Sequence, residues 1–431
     1  MGVTTSKAGA TASRTSPPST LTPTTADYDV TRVRALYPAL ADGWVYLDGA
    51  AGTQVPRAVI EAESAAYAAG IGNHGGAFAA SRRSDALTAA ARTAVADLVG
   101  APSSHGVVLG PSSTALTYGA ARALSRTWRR GDEIVLTRLD HDANVRPWVQ
   151  AAGAAGVTVR WADPDIETLD LPADAVIDLL SPRTRLVAVT AASNVVGTRP
   201  DIPAIADATH AIGSLLYVDG VHATPHGPID VAALGADFWT TSAYKWSGPH
   251  VAALIADPDL LAGLRPDKLD PVPDVVPDKF ELGTPPFAQH AGITAAVEHL
   301  AALAPGSAMS GPRREQILTS MAAVHAHEAG LLRRMLDGLA QFPHVHRIGR
   351  PSRQAPTVWF RVDGYPPAAV AQHCALARVN VWSGHNYAWE LAGLLGIRDD
   401  GSAVRAGMSC YTDGADVDRL LEAIGDLRPT R

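Results

Sequence analysis

Cysteine is nearly absent. The 431-residue chain holds two, Cys374 and Cys410, too few for a disulfide framework and in keeping with a reducing cytoplasm. No apolar run approaches the roughly 20 residues of a membrane-spanning helix, so no membrane partner is expected. Positive charge is in deficit, with a formal net charge of −7. That excludes the basic footprint on which nucleic-acid binding depends. The first 26 residues are mostly Ser, Thr, Ala and Pro. They lack the apolar stretch of a signal peptide and are expected to form a disordered tail. Aromatic residues make up only 6% of the chain, which sets off one crowded segment, V-N-V-W-S-G-H-N-Y-A-W-E at 379–390.

Hydrophobic residues reach 47%, ample for a large core. From Trp44 onward, short β-rich runs alternate with alanine-rich helical stretches. The expected strands are 106–109, 133–136, 157–160, 185–189, 215–218, 238–241 and 251–255. Most are continuously apolar, as strands covered on both faces by helices should be. A mostly parallel α/β sheet follows. Helices are expected over 287–303 and 313–339, after a Pro/Asp-rich loop at 267–278. The last hundred residues open with a strand at 357–362 and continue as helix, strand and helix, a smaller α+β unit. No internal repeat is present.

Gly70 to Gly75 fits G-x-G-x-x-G, but it follows a helical run rather than a strand, so a mobile glycine loop is the better reading. Asp219, His222 and His226 have the residue types of a metal site. Pro225 interrupts the helix that would present both imidazoles, and no further ligand cluster stands nearby. A different chemistry emerges downstream. Asp219 closes one apolar strand, and Lys245 follows the next, in T-S-A-Y-K-W-S-G-P-H at 241–250. A lysine among apolar and aromatic neighbours has its charged form disfavoured, which makes the amine nucleophilic toward carbonyls. Pyridoxal phosphate requires such a pair: a lysine for its aldehyde and a carboxylate for its pyridine nitrogen. Ser112, Ser113 and Thr114 open a helical run after a strand, where hydroxyls and free N–H groups bind anions. His141 follows the next strand and can stack on a flat ring.

Several ordered stretches carry a family resemblance: Y-L-D-G-A-A-G-T-Q (46–54), S-S-T-A-L (112–116), D-H-D-A-N-V-R-P-W (140–148), A-S-N-V-V-G-T (192–198), V-D-G-V-H-A (218–223), T-S-A-Y-K-W-S-G-P-H (241–250) and F-E-L-G-T-P (280–285). From about residue 45 to 427 the chain resembles the class V aminotransferase / cysteine desulfurase family of fold type I pyridoxal-phosphate enzymes, in its desulfurase-like branch. The resemblance implies a seven-stranded, mostly parallel sheet in a large cofactor domain at 27–300, with 27–45 able to pack on the small domain, and an α+β domain at 301–431. It implies that Lys245 holds the aldehyde, Asp219 pairs with the pyridinium and His141 stacks on the ring. Asn194 and His222 would lie near the phenolic oxygen. Ser112, Ser113, Thr114, Ser242 and Tyr244 would bind phosphate. Thr284 would reach the site of a second subunit in a homodimer, and Arg405 would clamp the carboxylate of an amino-acid substrate.

Two departures bear on activity. Tyr244 stands where many desulfurases have histidine, and its phenol can still donate to phosphate. Trp382 and Tyr387 stand where desulfurases carry an arginine and the nucleophilic cysteine, and neither Cys374 nor Cys410 falls there. The expected reaction is therefore C–S cleavage by α,β-elimination without a protein persulfide. Amino transfer and epimerisation are the alternatives, and a non-catalytic, partner-binding role is a third. His385, Asn386 and Tyr387 are candidate substrate contacts, against the alternative that this aromatic segment only packs a loop.

Overall fold

The computed structural model describes residues 28–304 and 311–428. The expected tail at 1–26 lies outside the described residues. Seven strands form the large sheet: β1 Val107–Gly110, β2 Glu133–Thr137, β3 Thr158–Ala162, β4 Thr184–Thr190, β5 Leu215–Asp219, β6 Phe238–Ser242 and β7 Ala252–Ala256. Their spatial order is β1-β7-β6-β5-β4-β2-β3. All run parallel except β7, which is antiparallel to both neighbours. Only the nine residues 243–251 join β6 to β7, too few for the crossover that a parallel pair requires.

Both faces of the sheet are buried, which is why the strands read as unbroken apolar runs. Successive residues alternate between two cores. Val135, Val187 and Val218 face one cluster, whereas Leu136, Ala188 and Tyr217 face the other. A third cluster, with Val358, Phe360, Val404 and Leu420, lies under a four-stranded antiparallel sheet. Its strands are β8 Val345–Arg347, β9 Thr357–Val362, β10 Trp382–Gly384 and β11 Ala403–Gly407, in the order β10-β11-β9-β8. The long helix Arg313–Leu339 joins the two parts: Ile317, Met321 and Val324 enter the first cluster, and Leu332, Met335 and Leu339 enter the third. Near the start of the described chain, Val45–Tyr46 pairs in parallel with Val379–Asn380.

The glycine-rich stretch at 70–75 joins helices Arg57–Ala68 and Ala79–Val99 and is hydrogen-bonded to the second of them. Arg83 Nε donates to the Gly70 carbonyl, the Ser84 hydroxyl to the Gly72 carbonyl, and Gly75 N–H to Asp85. One glycine is fixed by close approach. A Cβ on Gly220, next to Asp219, would stand 2.0 Å from the buried Trp239 ring. Gly220→Ala is expected to lower the thermal midpoint, with a cost of about 1–3 kcal/mol for overpacking, read in a melting curve.

Candidate active site

The parallel strands deliver their C-terminal ends to one edge, where α/β sheets place ligands. A cavity of about 440 Å³ opens there, lined from the large sheet and from the β10–β11 side of the small one. Five strand ends contribute. After β1 come Ser112, Ser113 and Thr114; after β2, His141; after β4, Asn194; at the end of β5, Asp219; at the end of β6, Ser242, followed by Tyr244 and Lys245. His222, His385, Asn386, Tyr387 and Arg405 complete the set. Of the site residues expected from sequence, only Thr284 stands apart, exposed in the loop before helix Phe287–Ala301.

Lys245 ends a short 3-10 turn, Ala243–Lys245, and its amine donates to the Ala50 carbonyl. Burial lowers its pKa to about 7, helped by the Arg405 guanidinium and opposed by the carboxylates of Asp219 and Asp48. Much of this amine is therefore neutral near neutral pH. Asp219 is buried and accepts the Val221 N–H at 2.9 Å. Burial pushes its carboxyl up to about 6, while Lys245 acts against that.

His141 is flat, neutral and fixed. Its Nδ1 accepts the Ala143 N–H at 3.0 Å, so the ring proton sits on Nε2. Burial, then the charges of Lys245 and Arg405, lower its pKa to about 3. The support beneath it is polar and closed. Asp140, fully buried, accepts from Asn144 Nδ2 at 2.7 Å and from the Thr137 hydroxyl. Asn144 in turn accepts the Trp148 indole N–H at 3.1 Å. Burial raises the Asp140 carboxyl to about 8. Asp140, Asn144 and Trp148 all lie in D-H-D-A-N-V-R-P-W, a stretch noted for resemblance, but no role was read for them there.

The helix Ser113–Ser125 starts at the cavity with Ser112 as its N-cap, the hydroxyl accepting the Ala115 N–H at 3.1 Å. Free N–H groups and the positive end of the helix dipole face an anion placed here. Ser242 makes no side-chain hydrogen bond among the described residues, which leaves its hydroxyl available to the cavity. His222 is buried, with Nε2 2.9 Å from the Thr357 hydroxyl and a pKa well below its ordinary value through burial. His226 turns away to pair its Nδ1 with buried Glu328 at 2.9 Å. Asp219, His222 and His226 thus do not converge as ligands.

Arg405, on β11, is buried yet makes no ion pair among the described residues; its Nη1 donates to the Asn194 carbonyl at 3.1 Å. A buried, unpaired guanidinium opening into a cavity is a ready carboxylate site. Burial lowers its pKa to about 10, with Asp48 acting in the opposite direction. Asp48 itself was passed over in the sequence. Burial pushes it up to about 6, near Lys245 and Arg405, and its Oδ1 has no hydrogen-bond partner.

The aromatic segment forms the outer wall. Asn386 and Tyr387 both hold left-handed backbone, φ +47° and +61°, a conformation that costs a tyrosine about 1–2 kcal/mol. Two hydrogen bonds from the large sheet's side hold them there: Asn194 Nδ2 donates to the Asn386 carbonyl at 2.8 Å, and Asp142 N–H to the Tyr387 carbonyl at 2.8 Å. Arg146 adds a clamp, bridging Asp142 and Glu390. The Asn386 amide is spent on the Gly384 carbonyl and His385 Nδ1 on the Tyr387 N–H. Tyr387 is left 65% exposed with its ring 5.1 Å from His141. The segment borders the same cavity as Lys245.

Comparison with known proteins places this arrangement. The family model for class V aminotransferases matches residues 45–420. An uncharacterized protein of Mycobacterium tuberculosis is 37% identical over 93% of this chain and 99% of its own. An aminotransferase-like protein of Gibberella zeae is 32% identical, covering 92% and 98%. The crystal structure of the cysteine desulfurase CsdA from Escherichia coli superposes with a TM-score of 0.80 at 29% identity, over 92% of this chain and 98% of that one. The chain belongs to the class V aminotransferase family and is a pyridoxal-phosphate-dependent enzyme of the fold type I, desulfurase-like kind.

Proposed function

We propose that the chain catalyses α,β-elimination on a cysteine-derived amino acid, releasing a thiol without loading sulfur onto a cysteine of its own. The position of the two thiols carries this reading. Cys374 is buried in helix Pro367–Leu376, and Cys410 is buried against the Tyr37 hydroxyl at 3.3 Å. Neither lines the cavity. Burial pushes their pKa values up to about 11 and about 12, which removes the thiolate that sulfur capture needs.

The cavity's polar groups suit the cofactor. Asn194 Oδ1 is buried without a partner at the wall, where a phenolic hydroxyl can satisfy it. In this reading Lys245 takes the aldehyde, Asp219 the pyridine nitrogen and His141 the ring face. Asn194 and His222 attend the phenolic oxygen, and Ser112, Ser113, Thr114, Ser242 and Tyr244 attend the phosphate. The bound cofactor supplies the electron sink for the pair left at Cα. Arg405 holds the substrate carboxylate, and the Lys245 amine takes the Cα proton. The C–S bond then breaks. Sulfur leaves with a proton as a thiol, and the Tyr387 hydroxyl, at the cavity wall, is the donor in this mechanism. The three-carbon remainder takes up water to give pyruvate and ammonium.

The test is product analysis with S-substituted cysteines. Pyruvate and thiol in equal amounts support the reading; no thiol release from any of them sinks it. Amino transfer or epimerisation is the second reading, favoured by the likeness to the aminotransferase-like protein. It would show as solvent deuterium at Cα, or conversion of the cofactor to its amine form, with no thiol. We assign a homodimer as the working form, with Thr284 reaching the partner's site. Its exposure beside exposed Leu282, away from its own cavity, supports this. Among the described residues no helix is long and apolar enough to cross a membrane.

The depressed pKa of Lys245 predicts how the apoprotein takes up its cofactor. Only the neutral amine attacks an aldehyde, so the capture rate should rise with pH and level off just above about 7. Stopped-flow absorbance at several pH values reads this directly. A rate still climbing through pH 10 would place Lys245 in water.

A further inference from the structure

Where the substrate's side group goes rests on Arg405 holding the amino-acid carboxylate, as proposed above. Arg405 stands in the middle of a cross-strand row. Its direct partner on β9 is Trp359, and its direct partner on β10 is Trp382. Directly opposed residues of antiparallel strands project to one face, with Cβ atoms about 4.5–5.5 Å apart. The three side chains therefore project to one face of the small sheet. Trp359 is fully buried, whereas Trp382 is 53% exposed and lines the cavity together with Tyr387.

A carboxylate on Arg405, with its Cα at Lys245, must send its side group past Trp382 and Tyr387. Among the described lining residues, only Lys245, Arg405 and Asp219 carry formal charge apart from three histidines. Two of those histidines, His141 and His222, are held neutral by burial. Lys245, Arg405 and Asp219 are all committed to the reaction centre. The third histidine, His385, has its Nδ1 occupied by the Tyr387 N–H, so among the described lining residues no lysine or arginine is left to pair with a second carboxylate on the substrate. An apolar or aromatic group would cover the exposed faces of both rings.

We propose that the cavity selects amino acids whose β-substituent is neutral and apolar or aromatic, seated against Trp382 and Tyr387, and rejects those with a second carboxylate. The test is titration of the holoenzyme with S-benzylcysteine and S-carboxymethylcysteine, followed by absorbance of the bound cofactor. The benzyl compound should bind at least about tenfold more tightly. Trp382→Ala should shrink that ratio several-fold, Tyr387→Ala should shrink it as well, and Trp382→Arg should invert it. Trp382 lies half-exposed on an edge strand, so these variants should keep the wild-type melting midpoint. Equal affinities in the wild type, or a ratio unmoved by all three substitutions, would overturn the proposal. If no amino acid perturbs the cofactor spectrum at all, the amino-acid reading of the site falls first and this one with it.

Discussion

Lys245→Ala should cut thiol release by roughly a thousandfold, the scale expected when an acid–base group is lost from the reacting proton. The cofactor should then be removable by dialysis, since no other amine lines the cavity. The fold should survive. The one hydrogen bond made by this side chain goes to the Ala50 carbonyl, and the site around it is assembled by five strand ends that do not depend on it. Turnover within tenfold of wild type would show that another group moves the Cα proton.

The second large effect is at Arg405. Arg405→Met should lower kcat/KM for amino-acid substrates by about 30- to 4,000-fold, equivalent to about 2–5 kcal/mol for a buried charged partner. Stability should change little by comparison. The guanidinium is buried without an ion pair, and methionine in its place, between Trp359 and Trp382, removes a desolvated charge. The loss is confined to the Asn194 carbonyl, which gives up a hydrogen bond worth about 1 kcal/mol. A melting curve beside the kinetics separates the two effects. A fall of less than tenfold with an unchanged midpoint would mean that the carboxylate binds elsewhere.

The large sheet was legible because burial on both faces writes an unbroken apolar run for each strand. All seven appear within two residues of their expected limits. The least accurate, 157–160 against Thr158–Ala162, is the edge strand β3, where partial exposure breaks the run. The antiparallel direction of β7 was not read from the sequence, because an apolar run says nothing of direction. The small sheet was harder. The strand Trp382–Gly384 is three residues long, too short for any periodicity, and exists through its pairing with Ala403–Gly407.

The site followed the same division. Lys245, Asp219 and the Ser112–Thr114 helix start sit at strand ends, so local pattern found them. Asp140, Asn144 and Trp148 support one another at i, i+4 spacing inside a stretch noted for resemblance, but the pairing of His226 with Glu328 102 residues away and the Trp359–Arg405–Trp382 row depend on register and tertiary contact. No spacing in the chain announces those. Asp48 lay in a stretch noted for resemblance, but only its nearness to Lys245 and Arg405 gives it weight.

On the proposed mechanism sulfur leaves without passing through a thiol of this protein. The most direct measurement is product analysis on the Cys374→Ala/Cys410→Ala double variant, loaded with cofactor and given S-substituted cysteines. The account predicts pyruvate and thiol at the wild-type rate, with no alanine formed. Loss of sulfur release in the double variant, or alanine and a protein-bound persulfide when the wild type is given free L-cysteine, would contradict it.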